Sequence, residues 1–283
     1  MRIAHLSDLH FTHLNFHPRH LFSKRLFGMV NWLLFRKAGS DHERLSLLPE
    51  LFNSLKVDQI LIAGDLTSTS FVSEFKAARA FSDQFKQPVL FIPGNHDHYT
   101  AGAYQENRFY QFFSNRKPVF GSLPQKRVEA HPLGQWGWCV LLDTAAPSSW
   151  AESNGHFSPE IEAALEELLR ELPSDAPILL VNHFPFFQND LPEHRLVRGE
   201  ALESLLERHP NIRLYLHGHT HRHCIADLTQ NGLPLILDSG CPIQKNHATW
   251  NLIDLEKDGC TVEAYHWTQN KWDVFRECKV ALV

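Results

Sequence analysis

The sequence has no CxxC pair, and its five cysteines, Cys139, Cys224, Cys241, Cys260 and Cys278, are odd in number and widely spaced. That pattern argues against a zinc ribbon or a disulfide framework, so reduced thiols in a cytoplasmic setting are the expectation. Long apolar runs are missing too. The longest near the start, "LFGMVNWLLF" at 26 to 35, is about half of the ~20 residues that a bilayer-spanning helix needs. The first strand, "RIAHLSDLH", starts almost at Met1 and leaves no room for a charged segment and an apolar one before it, so no secretory signal is read. Positive charge is scarce: 27 Lys and Arg against 32 Asp and Glu give a net charge of −5, which disfavours avid nonspecific nucleic-acid binding. Low-complexity tracts, convincing linkers and internal repeats are absent. With 283 residues, 43% of them hydrophobic, the chain reads as one domain over 1–283.

What the sequence has in excess is histidine, 19 in all, which raises the expectation of a metal site without locating one. Location comes from the strands. "RIAHLS" ends at Asp8 and His10, "QILIAG" (59 to 64) at Asp65, and "VLFIPG" (89 to 94) at Asn95 and His96. "PILLVN" (177 to 182) ends at His183, and "IRLYLHG" (212 to 218) at His219 and His221. Segments with apolar residues at three-to-four spacing predict helices over 41 to 56, 73 to 85, 158 to 172 and 199 to 209. Ser158 followed by Pro159 marks the start of the third as an N-cap and first-turn pair. Short strands alternating with helices imply parallel crossovers, whose ligands lie beyond the carboxyl ends of the strands, so all five polar clusters are expected on one edge. The tail reads as strands over 234 to 239, 249 to 256, 260 to 267 and 272 to 283, with no helix between them, and predicts a second, antiparallel sheet. The expected fold is therefore α/β, a four-layer α-β-β-α sandwich of two mixed sheets with helices outside.

In chain order the clusters are Asp8-Leu9-His10, Gly64-Asp65, Gly94-Asn95-His96-Asp97, Asn182-His183 and Gly218-His219-Thr220-His221. This series resembles the calcineurin-like metallophosphoesterases, whose blocks run DxH, GD, GNH(D/E), H and GHxH. The resemblance implies that Asp8, His10, Asp65 and His221 hold one metal ion and that Asp65, Asn95, His183 and His219 hold a second, with Asp65 shared. Imidazole, carboxylate and amide oxygen without thiolate suit two divalent ions such as Mn, Fe or Zn. Such a pair can activate a bridging hydroxide for in-line attack on phosphorus. His96, beside Asn95, is then the candidate catalytic residue, as proton donor to the leaving oxygen, and Asp97 a carboxylate that supports the ligands.

Other residues carry weaker expectations. His5, His98, His217, His223 and His247 lie near the clusters in sequence without matching a ligand position, and His13, His17 and His20 do so less closely. Cys241 in "DSGCP" reads as a small buried filler. A basic and apolar insertion, "HPRHLFSKRLFGMVNWLLFRKAG" at 17 to 39, reads as a packed helix, a lid, or a peripheral membrane contact that would make the protein membrane-associated. The expected substrate is a small phosphodiester, such as a cyclic nucleotide, or a pyrophosphate. The "GDxxDRG" form of protein phosphatases is absent, because "LTSTS" follows Asp65. The alternatives are a UDP-diacylglucosamine-type pyrophosphohydrolase that uses 17–39 for lipid contact, a nuclease, and a noncatalytic metal-binding scaffold of the same fold. Retention of His96 and of every matched ligand weighs against the scaffold.

Overall fold

A computed structural model describes residues 1–13, 41–147, 152–188 and 191–282. The insertion at 17 to 39 lies outside them. Strand β1 (Arg2–Leu6), helix α1 (Leu48–Ser54), β2 (Gln59–Ala63), α2 (Val72–Ser82) and β3 (Val89–Ile92) form the expected alternation. Short helices α3 (Ala101–Gln105) and α4 (Arg108–Phe112) lead to β4 (Phe120–Ser122), α5 (Leu123–Lys126) and the paired strands β5 (Val128–Leu133) and β6 (Gly137–Leu142). Next come β7 (Gly155–His156), α6 (Pro159–Glu171), β8 (Ile178–Val181), β9 (Leu196–Val197), α7 (Gly199–Arg208) and β10 (Ile212–His217). Strands β11 (His223–Asp227), β12 (Leu235–Ser239), β13 (Thr249–Leu255), β14 (Gly259–Thr268) and β15 (Lys271–Ala281) follow.

Two mixed sheets result, one in the order β15-β14-β13-β1-β2-β3 and the other β11-β12-β10-β8-β6-β5-β4. Strand alternation explains their stacking. On β2, Leu61 and Ala63 face the layer between the sheets, while Ile60 and Ile62 face outward with Phe52 of α1 and Phe75 of α2. On β8, Leu179 and Val181 face the same inter-sheet layer, and Ile178 and Leu180 pack with Leu165 of α6 and Leu202 of α7. The layers are helix, sheet, sheet, helix, as expected.

Three expectations are corrected. The tail does not form a separate sheet: β13 pairs antiparallel with β1 and extends the first sheet through β14 and β15, whereas β12 runs parallel to β10 in the second. An unpaired edge on β1 would leave backbone donors and acceptors stranded, and β13 satisfies them. The polar clusters consequently do not share one sheet edge. Those following β1, β2 and β3 belong to the first sheet, those following β8 and β10 to the second, and the two edges meet. The helix predicted over 41 to 56 is broken into a 3-10 turn, Glu43–Leu47, and α1, because Pro49 sits at the α-helical start, where its missing N–H costs nothing. Ser158 caps α6 as predicted, its Oγ accepting from the Ile161 N–H at 3.3 Å.

Candidate metal centre

The loops that leave the strands are held in an unusual backbone state. Asp8, His10, Asp65, His219 and His221 all have positive φ, between 44° and 71°, where L-residues with a Cβ are strained. Hydrogen bonds between loops enforce it: Asp8 N–H donates to Gly64 O at 3.0 Å and His10 N–H to Asp65 O at 2.9 Å. Close approach is tightest at Gly94 and Gly218. A Cβ on Gly94 would lie 2.1 Å from Asp65 Oδ1, and one on Gly218 would lie 1.8 Å from Ser7 Oγ. Asp97, fully buried, ties the second and third loops together. Its Oδ1 accepts from Thr67 N–H (2.8 Å) and Thr67 Oγ1 (2.9 Å), and its Oδ2 from Gly94 N–H (3.0 Å) and Leu66 N–H (3.1 Å).

These loops bring the side chains into one cluster. Asp8, His10 and His221 present ligand atoms within 4.8 Å of one another, as do Asp8, Asp65 and His183, and also His10, Asp65 and His96. Asp65 stands at the centre, with Oδ2 3.8 Å from His10 Nε2 and 3.6 Å from His183 Nε2. His221 Nε2 is 3.1 Å from Asp8 Oδ1 and 3.0 Å from His10 Nε2. His183 is aimed by its other nitrogen, since Nδ1 donates to Ala63 O at 2.7 Å and Nε2 is buried with no hydrogen-bond partner. Asn95 Oδ1 is buried and unpartnered in the same way. His219 sits at the margin: Nε2 donates to His194 O at 2.9 Å, its backbone N–H donates to Asp8 Oδ2 at 3.0 Å, and its ring lies 5.2 Å from that of His183. His96 Nδ1 donates to Ser68 O at 2.7 Å, and the ring packs edge-on against His10 at 4.8 Å.

Charge explains why so many polar groups tolerate burial together. Burial would raise the Asp8 and Asp65 carboxyls, but His221 and His10 beside the first, and His183 and His96 beside the second, hold both well below the ordinary carboxylate range. His183 shows the reciprocal effect. Burial disfavours its cation, yet Asp65 raises it to about 9. His219, buried and close to His183, is lowered to about 3. Divalent ions among these groups would provide the positive charge that protons otherwise supply, and the buried, unpartnered His183 Nε2 and Asn95 Oδ1 are donor atoms that suit such ions.

The remaining histidines divide by surroundings. His5 and His217 are buried behind the loops, lowered to about 3 and about 4 chiefly by burial. His98 is buried 3.8 Å from Asp143, His223 Nε2 meets Asn251 Oδ1 at 2.8 Å, and His247 is exposed. The His13 N–H donates to Glu74 at 3.2 Å, while His17 and His20 lie outside the described residues. Cys241 is buried, its thiol 3.1 Å from Asp8 O. Sequence reasoning missed Asp143 and Thr144, which follow β6 next to the Asn182-His183 turn, Thr144 Oγ1 donating to Asn182 Oδ1 at 2.8 Å. "WCVLLDT" carries the same signal as the other strand ends, an apolar run that stops at a carboxylate.

The calcineurin-like phosphoesterase family model matches residues 1–223. Among curated proteins, the chain is 25% identical over 222 residues to the 3',5'-cyclic adenosine monophosphate phosphodiesterase CpdA of Escherichia coli strain K12, covering 74% of each chain. It is 24% identical to the glycerophosphodiester phosphodiesterase GpdQ of Enterobacter lignolyticus, over 78% of this chain and 71% of that one. In solved structures, a dimetal phosphatase from Danio rerio superposes with a TM-score of 0.71 at 13% identity, over 100% of this chain and 99% of the other, which establishes a shared fold.

Proposed function

Because this chain belongs to the calcineurin-like phosphoesterase family, and so to the metal-dependent phosphoester hydrolases, we propose that it cleaves a phosphodiester, with a cyclic nucleotide as the favoured substrate. The observation that carries the reading is the position of Asp65, whose Oδ2 lies between His10 Nε2 and His183 Nε2 at 3.8 and 3.6 Å. A carboxylate so placed suits the shared ligand of two sites. Asp8, His10, Asp65 and His221 would hold one ion, and Asp65, Asn95, His183 and His219 the other. His219 fits through Nδ1, because Nε2 is committed to His194 O.

A bound pair of divalent ions supplies charge against the phosphoryl oxygens and lowers the pKa of a coordinated water. The protein's own groups do the rest. His183 is fixed by Ala63 O with its Nε2 toward Asp65, so no rotation would be needed to bind an ion that takes the place of the Nε2 proton. His96 keeps its Nδ1 proton on Ser68 O, so the imidazolium form, protonated at Nε2 as well, would deliver that second proton to the departing ester oxygen and be left neutral. Names of the relatives support a diester over a monoester. The absence of the protein-phosphatase block after Asp65 supports a small substrate over a phosphoprotein.

The test is hydrolysis of bis-p-nitrophenyl phosphate beside p-nitrophenyl phosphate with Mn²⁺, using Asp65→Ala as control. Diester turnover that disappears in the variant is expected. Turnover of the monoester alone, or turnover that survives Asp65→Ala, would sink the reading.

A further inference from the structure

A cavity of about 470 Å³ opens against His221, the side chain whose Nε2 also meets Asp8 at the metal cluster. That volume falls in the range of small-ligand sites, and His221 is a wall common to the cavity and to the metal cluster. Its lining is ring-rich. Phe275 on β15 is 45% exposed, and its ring lies 5.0 Å from His266 and 5.2 Å from His223. Trp267 forms a further wall, itself backed by Arg44 at 5.2 Å and Trp272 at 5.3 Å. Gln244 and Asn246 add amide donors and acceptors to the lining.

A flat apolar ring left open to water beside a polar catalytic cluster needs a reason. A ligand stacked on Phe275 would bury its ring, and the nearby amides match a ring with a hydrogen-bonding edge. A small aliphatic ester group would leave the same rings solvated. We propose that this cavity is a specificity subsite for the nucleobase of the substrate, stacked on Phe275 with its edge toward Gln244 and Asn246, while the phosphoryl group lies across His221. The proposal rests on the phosphodiesterase reading for the identity of the reacting group, and it adds the residues that choose the substituent.

Binding tests it apart from turnover. Calorimetry on the full chain loaded with Mn²⁺ would compare adenosine 5′-monophosphate with ribose 5-phosphate, which differ only by the base. A preference of about tenfold for the nucleotide is expected, from the usual strength of a base stacked on an aromatic ring. Phe275→Ala should abolish that preference without weakening ribose 5-phosphate, and Phe275→Tyr, which keeps the ring, should retain it. Equal affinities in the wild type, or a preference that persists in Phe275→Ala, would overturn the subsite. Loss of the phosphodiesterase reading is a separate result: the nucleotide preference would remain while diesters went unhydrolysed.

Discussion

Replacing Asp97 by asparagine removes a charge and one of two acceptor oxygens at a fully buried position, with almost no change in shape. The carboxylate receives four hydrogen bonds, two from Thr67 on Oδ1 and one each from Gly94 and Leu66 on Oδ2. An amide can satisfy one pair, but its NH₂ group then faces the other pair donor to donor. Each stranded buried donor costs about 1–3 kcal/mol, so two cost about 2–6 kcal/mol, with loop relaxation favouring the lower half of that range. Burial and the neighbouring Asp65 push the Asp97 carboxyl up to about 7, so the comparison belongs near pH ~8, where the wild-type group is ionised and accepts all four bonds. Urea unfolding of the metal-free proteins measures the loss as a shift in midpoint at constant slope. Since the same bonds place Asp65 and Asn95, Mn²⁺ affinity should fall about 10–100-fold. A stability loss below ~1 kcal/mol with unchanged metal affinity would refute the view that Asp97 fixes these loops.

Two further outcomes follow from the packing. Gly94→Ala would place a methyl 2.1 Å from Asp65 Oδ1 and 2.5 Å from Asp65 N, so it should displace the central carboxylate and abolish metal-dependent turnover, and an active variant would show that Asp65 is not needed where it stands. Arg127→Met leaves Asp143, fully buried and otherwise accepting from the Tyr110 hydroxyl at 2.5 Å and the Ala145 N–H at 2.9 Å, without its guanidinium, at a cost of about 3–5 kcal/mol at neutral pH. Burial opposes ionisation of Asp143, and Arg127 overcomes it to hold the group at about 2. That value lies below the ~3.9 of an unfolded Asp, so the contribution is complete above about pH 4 and is lost as pH falls toward about 2. Thermal melts across that acid range should show the variant and the wild type converging, and a gap that stays constant with pH would rule out the pairing.

Much of the architecture was legible because each strand is a short apolar run that stops at a ligand-type residue, as at Asp65 after "QILIAG". The helices were legible where one face is apolar, as in α6 with Leu165, Leu168 and Leu169 buried. Sheet membership was not legible. Strand β13 has the same apolar character whether it starts a new sheet or completes the edge of β1, and the register of Ala4 opposite Leu252 leaves no mark on local sequence. That Asp8, His10, Asp65, His96, His183 and His221 would gather was legible, since the blocks set ligand-type side chains at strand ends in order. The geometry of the site was hidden, because left-handed φ at Asp8 or His10 comes from hydrogen bonds between loops distant in sequence. The cavity at Phe275 was hidden for a related reason: it joins residues 221 to 223, 244 to 249 and 266 to 275, and no periodicity links those three.

The split of the cluster between two sheets makes it a seam. Asp8 reaches His221 and Asp65 reaches His183 across the joint, while the apolar layer behind them, with Ala63, Val181 and Leu216, sets how far apart the sheets stand. Spacing in that dry interior and spacing among the clustered side chains are thus one mechanical variable. A bulkier side chain at Ala63 would act as a wedge, opening the cluster from behind without touching any group that meets a substrate. Tuning of the chemistry is therefore open to core residues that no inspection of the cluster alone would single out.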